Sequence, residues 1–145
     1  VGAPDKTAAN RLPGGWFTVG DIGWVDGDGY VFLSDRKIDM IISGGVNIYP
    51  AEIEAALIGH PAVSDCAVFG IPDDEWGEQV KAAVQFEAGT SATDEELIAW
   101  CLEKLAGFKC PRSIDVHVEL PREATGKLKK RYLRDIYWEG RERAI

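Results

Sequence analysis

Lys127 is the side chain with the clearest chemical use in this sequence. It closes the run Pro121-Arg122-Glu123-Ala124-Thr125-Gly126-Lys127, in which Gly126 supplies a permissive backbone and a helix is predicted to follow from about Leu128 to Tyr137. A flexible ammonium at the end of a loop suits an oxygen of a carboxylate or phosphate whose negative charge shifts during reaction. The bland alternative is a solvated lysine at a helix start. The run is not a Walker loop, because the GxxxxGK[ST] spacing is missing. Asp21, after Gly20 at a short strand end, is the second candidate: its carboxylate can accept hydrogen bonds from both hydroxyls of a ribose, or it is a turn residue. The third is the pair Gly44-Gly45, where bare backbone can approach a ligand or serve a moving domain, although a plain turn explains the pair taken alone.

These residues need elements to hold them. Met40, Ile41 and Ile42 read as an extended segment, the Gly44-Gly45 loop follows, and Pro50 stands at a first helical position with Glu52 and Glu54 in the first turn, where the helix dipole favours carboxylates. The helix Ala51 to Ile58 buries Ile53, Leu57 and Ile58 and stops at Gly59-His60-Pro61. Upstream, Ile22 to Val25 and Tyr30 to Leu33 flank Asp26-Gly27-Asp28-Gly29 as a β-hairpin; that turn lacks the remaining ligands of a calcium loop. Val63 to Ile71 and Gln79 to Phe86 are strand-like, should pair antiparallel, and are joined by the polar turn Pro72 to Gly77. Thr93 and Glu96 have capping-box spacing and open a helix through Ala106, with Ile98, Cys101, Leu102 and Leu105 as its apolar stripe and Gly107 as its stop. A short strand, Ser113 to Val118, precedes the lysine loop. Val1 to Pro13 reads as a loose segment or a short helix.

Composition narrows the function. A chain of 145 residues, 46% hydrophobic, can bury one real core, and no apolar run reaches membrane-spanning length, so a soluble domain with an extension is expected. The chain begins at Val1 with no secretory or targeting pattern and reads as a piece of something longer. A net charge of -8 argues against nucleic acid as a partner. The one basic stretch, Arg122 to Arg134, reads at Lys129, Lys130 and Arg134 as a solvated helix face. Cys66, Cys101 and Cys110 are odd in number and lack CxxC spacing, which fits reduced cytoplasmic thiols; Cys101 falls on the apolar stripe and is core. His60 has no partners at ligand spacing, so no metal site is expected.

Three motifs in order carry a family resemblance: GWFTVGDIG from Gly15, DRKIDMIISGGVNIYPAEIE from Asp35, and LPREATGKLKKRYL from Leu120. The chain resembles the small C-terminal domain of the acyl-CoA synthetases, within the adenylate-forming enzymes that also include luciferases and peptide-synthetase adenylation domains. Ser43-Gly44-Gly45 and Asn47-Ile48-Tyr49-Pro50-Ala51-Glu52 are most similar to fatty-acyl and aryl-CoA ligases. The resemblance implies an α+β fold, a small mixed sheet of about three to five strands packed with helices. It places residues 1–34 as a β-hairpin remnant of the large adenylating domain and residues 35–145 as the mobile lid. It also implies the reaction: a carboxylic acid and ATP give acyl-AMP and pyrophosphate, then the thiol of coenzyme A takes the acyl group and releases AMP. Mg²⁺ is expected for the full-length enzyme but not on this domain.

Residue by residue, the resemblance makes Lys127 the catalytic lysine of adenylation. Asp21 matches the family's TGD aspartate and Arg36 the arginine before the hinge, both nucleotide-binding; the bland role of Arg36 is a surface salt bridge. Ser43, Gly44 and Gly45 line the path of the coenzyme A pantetheine. Ile38 occupies the hinge, where the family usually has Lys or Asp, and Glu123 stands where Thr is usual. No phosphate loop, adenine pocket or acyl pocket of the large domain occurs here, so the missing domain is the necessary partner and the chain alone should be inactive. Other readings are a stand-alone binding or regulatory module that has kept the fold, and a peptide-synthetase adenylation domain. Trp16, Phe17 and Trp24 leave a homo-oligomer open, through pairing of exposed apolar surface.

Overall fold

A computed structural model describes residue 8 and residues 10–141. The segment expected over Val1 to Pro13 thus falls largely outside the described residues. The chain divides into two compact units, Val1–Ile38 and Asp39–Ile145.

The first unit is built on the hairpin β1 (Asp21–Val25) and β2 (Val31–Arg36), paired antiparallel. Asp26 closes its turn: one carboxylate oxygen accepts from the Asp28 and Tyr30 backbone N–H groups at 3.0 and 2.9 Å. This is what a turn aspartate does, with the side chain standing in for backbone. Trp24 and Phe32 face each other across the strands with rings stacked at 4.3 Å. Trp16, Phe17 and Trp24 are all largely exposed.

The second unit holds a five-stranded sheet. β3 (Ile41–Ser43), β4 (Val46–Ile48), β5 (Val63–Asp73), β6 (Gly77–Phe86) and β7 (Ser113–His117) lie in the order β4-β3-β6-β5, with β7 also on β6. β5 and β6 form the long antiparallel ribbon that the spacing of apolar residues predicts. β7 runs parallel to β6 over Lys81 to Gln85, so the sheet is mixed as expected. A parallel neighbour needs a crossover, and the chain makes it through a helix.

That ribbon is apolar on both faces, which is why its strands read as nearly continuous hydrophobic runs rather than alternating ones. One face, with Cys66, Val68, Val80, Ala82 and Val84, is covered by the helices α1 (Pro50–Ile58) and α2 (Asp94–Leu102) through Ile53, Leu57, Leu97 and Cys101. The other, with Ala67, Phe69, Ile71 and Ala83, packs against Leu120 and, from α3 (Lys130–Asp135), Leu133. Lys81 is buried on this second face. Its ammonium meets the Asp115 carboxylate at 2.9 Å and the Ser113 hydroxyl at 3.2 Å, and the Tyr137 hydroxyl donates to the same carboxylate. A charge inside a covered face is tolerable only when it is paired and hydrogen-bonded in this way. Burial works to raise Asp115, but Tyr137 and Lys81 outweigh it and hold the carboxyl below its usual range, while burial and that carboxylate push Tyr137 up to about 12.

Several sequence expectations need correction. Ile58 is 48% exposed rather than buried, because Ile53 and Leu57 are four residues apart on one stripe and Ile58 is turned about 100° beyond Leu57. The capping box of Thr93 and Glu96 forms as expected, yet α2 stops at Leu102 and not Ala106; Leu97 and Cys101 carry its buried stripe and Leu102 is exposed. The chain is drawn aside there so that Cys110 and Pro111 are buried and the Arg112 N–H reaches the Val80 carbonyl ahead of β7. Val46–Ile48 adds a strand beyond those expected, and α3 is shorter than Leu128 to Tyr137 because Leu128 is held extended by bridging Arg122. The face of Lys129, Lys130 and Arg134 is not simply solvated. Lys130 pairs with Glu54 at 2.8 Å and Arg134 with Asp135 at 3.0 Å, while the Lys129 ammonium lies over the Tyr132 ring. Glu54 also accepts from the Val68 N–H at 2.7 Å, so it fastens α1 to the outer edge of β5. All three cysteines are free and buried, and burial pushes Cys66 to about 12 and Cys101 to about 11, far from a nucleophile's range.

Candidate functional site

Asp21 and Arg36 lie directly opposite each other at the open end of the β1–β2 hairpin. The guanidinium Nε is 3.9 Å from a carboxylate oxygen, and both side chains are exposed. Strand pairing is what joins two residues fifteen apart in sequence. An exposed pair at that distance contributes little stability, so both groups can be offered to a solute. Ile38, also exposed, is the last residue of the first unit.

Ser43, Gly44 and Gly45 sit on the β3–β4 hairpin. Ser43 pairs with Val46, leaving Gly44 and Gly45 as a two-residue turn with φ of 58° and 79°. Positive φ at both centres is the demand of the tight hairpin turn whose twist matches the strands, and it accounts for the glycine pair. A second reason applies to Gly44. Its N–H donates to the Trp76 carbonyl at 2.8 Å, and a Cβ there would stand 2.6 Å from Trp76 Cε3, so the indole packs on bare backbone. Trp76 is held by Asp73, whose carboxylate accepts from the backbone N–H of Trp76 and of Glu75 at 2.8 and 3.0 Å and is held below its usual range by those two bonds, Trp76's first. Beside this turn is a cleft of about 260 Å³ bordered by Ile42, Trp76, Glu78 and Trp138. Ser43, Gly44, Gly45 and Trp76 therefore form one corner, where the β3–β4 turn meets the β5–β6 turn.

Lys127 stands on a second, smaller hairpin. Arg122 and Leu128 form an antiparallel bridge, the Glu123 N–H donates to the Lys127 carbonyl at 2.8 Å, and the Gly126 N–H to the Glu123 carbonyl at 2.8 Å. Gly126, at φ 84°, makes the reversal that presents Lys127. The lysine is exposed, and its ammonium has no ion pair among the described residues. Where the loop leaves the sheet, Leu120 is buried and its N–H donates to the Gln85 side chain at 3.0 Å. Arg122 donates to the Gly126 carbonyl at 2.6 Å and, with its other terminal nitrogen, to Asp65 on β5.

The two corners lie at opposite ends of one ribbon. The Lys127 loop is moored at Asp65 and Gln85, and the glycine turn at Asp73 to Gly77. The eight residue-to-residue steps of β5 from Asp65 to Asp73 correspond to about 26 Å at 3.3 Å per step. They cannot serve one small reacting centre at once. Sequence reasoning missed Trp76 and Asp65. The signals were there: a tryptophan in an otherwise polar turn, and an acid near the start of an apolar strand.

Among the described residues no three His, Cys, Asp or Glu side chains gather as a metal ion would need, and no helix is long and apolar enough to cross a membrane. Comparisons with known proteins show the family of the chain. The chain is 50% identical over 129 residues to a feruloyl-CoA synthase of an Amycolatopsis species, covering 89% of this chain and 26% of that protein. It is 45% identical over 134 residues to a long-chain-fatty-acid–CoA ligase of Mycobacterium tuberculosis, covering 92% and 26%. The o-succinylbenzoate CoA synthetase from Bacillus subtilis, solved with its acyl-adenylate intermediate, superposes with a TM-score of 0.80 at 40% identity over 88% of this chain and 26% of that one. The chain thus spans about a quarter of the length of the relatives it matches. The family described as the AMP-binding enzyme C-terminal domain matches residues 52–127, more than half of the chain, from the helix after the glycine turn through to Lys127 itself, and this chain belongs to it.

Proposed function

We propose that this chain is the mobile C-terminal part of an AMP-forming acid–thiol ligase, working on a large adenylating domain that supplies the phosphate, adenine and acyl sites. In the first half-reaction a carboxylate oxygen of the acid attacks the α-phosphorus of ATP, the bond to pyrophosphate breaks, and acyl-AMP forms. In the second the sulfur of coenzyme A attacks the acyl carbon, AMP leaves, and the thiol proton passes to solvent or a base. Lys127 carries the first half: its ammonium meets the negative charge spread over the reacting phosphate and carboxylate oxygens. Ser43, Gly44 and Gly45 carry the second, offering a narrow backbone edge beside which a pantetheine arm can pass.

The single observation that carries this reading is the separation of the two corners along β5. Charge develops at different places in the two halves, and a body with one tool at each end serves both by turning about a hinge. Ile38, where the compact units divide, is the residue assigned to that hinge. Asp21 and Arg36 are assigned to the nucleotide ribose and phosphates, since a carboxylate and a guanidinium side by side present acceptors to hydroxyls and donors to a phosphate.

Residues 1–34 belong, in this proposal, to the end of the large domain, and the exposed aromatic rings there are covered by the rest of it. Relatives named for feruloyl and for long-chain fatty acids resemble the chain to a similar degree, which supports assigning acyl selection to the large domain. Three free, buried thiols suit a reducing compartment and support a cytoplasmic enzyme. Mg²⁺ is assigned to the large domain's triphosphate site.

Two experiments test this. The chain alone is expected to make no acyl-CoA from acid, ATP and coenzyme A, while the same chain joined to its large domain does; turnover by the chain alone overturns the proposal. Gly44→Ala in the complete ligase places a Cβ against the Trp76 ring at a φ that costs a side-chain-bearing residue about 1–2 kcal/mol. Thioester formation is expected to fall while ATP–pyrophosphate exchange holds. Equal loss of both would make the turn merely structural.

A further inference from the structure

The Lys127 hairpin is closed by its own backbone bonds, but backbone closure does not fix how the hairpin stands on the sheet. Its tip, from Glu123 to Lys127, is exposed throughout. Leu128 packs its base against the second face of the sheet, and among the described residues one polar side chain ties the tip to β5. Arg122 reaches back under the turn with both ends of its fork: Nη1 donates to the Gly126 carbonyl at 2.6 Å, the residue before the lysine, and Nη2 donates to Asp65 Oδ2. Asp65 is itself fixed, since its other oxygen accepts from the Cys66 N–H at 2.9 Å and its backbone is paired with Gln85 in the ribbon. Gln85 in turn holds the Leu120 N–H at 3.0 Å. Cross-strand partners project on the same face, so Asp65 and Gln85 grip the segment side by side, one at its root and one through Arg122 at its tip.

From this geometry we infer that Arg122 and Asp65 are positioning residues for Lys127: a strut that sets where the ammonium is delivered when the lid closes for adenylation. The inference rests on Lys127 acting in that half-reaction. The need for a strut is physical. A lysine has a flexible four-carbon stem, so the precision of its charge depends on the backbone that carries it. A guanidinium is the side chain that can bond a carbonyl and a carboxylate at once, holding two points in a plane. Lysine at 122 would make a single contact and leave either Gly126 or Asp65 unheld.

The test uses the complete ligase and both half-reactions. Arg122→Ala is expected to lower the kcat of ATP–pyrophosphate exchange by about 10²-fold, the scale of a displacement near 1 Å at a reacting centre. KM for ATP should move little, and thioester formation from supplied acyl-AMP should be unchanged. Asp65→Asn and Arg122→Lys, milder changes that keep the fold if alanine does not, should each lose part of the same rate. The decisive comparison is with Lys127→Ala. If the strut works only through the lysine, adding Arg122→Ala to Lys127→Ala produces no further loss. Losses that multiply in the double variant, or that fall equally on both half-reactions, overturn the inference, as does full exchange activity in all three single variants. Should Lys127→Ala itself keep its exchange rate, it is the assignment of Lys127 that fails; should it lose that rate while the strut variants keep theirs, the strut alone fails.

Discussion

In the complete ligase, Lys127→Ala is expected to slow acyl-adenylate formation by about 10²–10³-fold, the usual cost of deleting one donor aimed at developing charge. Thioester formation from supplied acyl-AMP should stay near its normal rate. The structure makes this a clean deletion. Lys127 is exposed and holds no ion pair among the described residues, so trimming it to alanine should cost the fold within about 0.5 kcal/mol. Its carbonyl, which closes the hairpin by accepting from Glu123, is untouched by the substitution. Any loss is then a loss of transition-state stabilisation and should fall on kcat more than on KM. ATP–pyrophosphate exchange measures the first half and a thiol-consumption assay the second. Equal slowing of both would make the lysine structural, and unchanged exchange would end the proposal that it acts on the nucleotide.

Phe69→Ala should be the most damaging single truncation in the second unit. The ring is 2% exposed at the centre of the face formed with Ala67, Ile71 and Ala83, and it lies 6.2 Å from the Tyr137 ring. Leu120, Leu133 and Tyr137 pack on the same face and can close the space only in part. A cost of about 3–5 kcal/mol follows, a large share of the 5–15 kcal/mol that holds a typical domain folded. Urea unfolding of the chain should show a lower midpoint with an unchanged slope. Val118→Ala, at a side chain 99% exposed, is the control and should shift stability by less than about 0.5 kcal/mol. A Phe69→Ala midpoint as little moved as that of Val118→Ala would mean that this face does not bear the fold. Because Lys81, Asp115 and Tyr137 share the face, some of the cost should appear as loosening of that buried polar group.

The ribbon, the two helices over its first face and the capping box were all legible along the chain, because each is declared by local spacing. Thr93 and Glu96 can only cap a helix at that distance, and runs such as Val63 to Ile71 suit little besides a strand covered on both sides. Element ends were less legible. Ile58 and Leu102 look as apolar as the residues beside them, and only the angle at which each helix meets the sheet decides which are covered. Lys130 and Arg134 read as a wet face because their partners, Glu54 from another element and Asp135 in the same helix, are chosen by packing and geometry rather than by charge runs.

Sequence alone was sufficient for the chemical vocabulary of this protein: an ammonium after a glycine, a glycine pair after a short strand, a carboxylate at a hairpin end, and an α+β frame to carry them. Residue type and spacing encode that much, since glycine conformation, capping and alternation act over a few residues. Only the tertiary structure decided that Arg36 faces Asp21, that Trp76 lies on Gly44, that Arg122 anchors the lysine loop to Asp65, and that the loop and the glycine turn are anchored at points about 26 Å apart along one strand. Those pairings join residues 15 to 57 positions apart in the chain, and register and packing of the whole sheet select them, which no local rule contains.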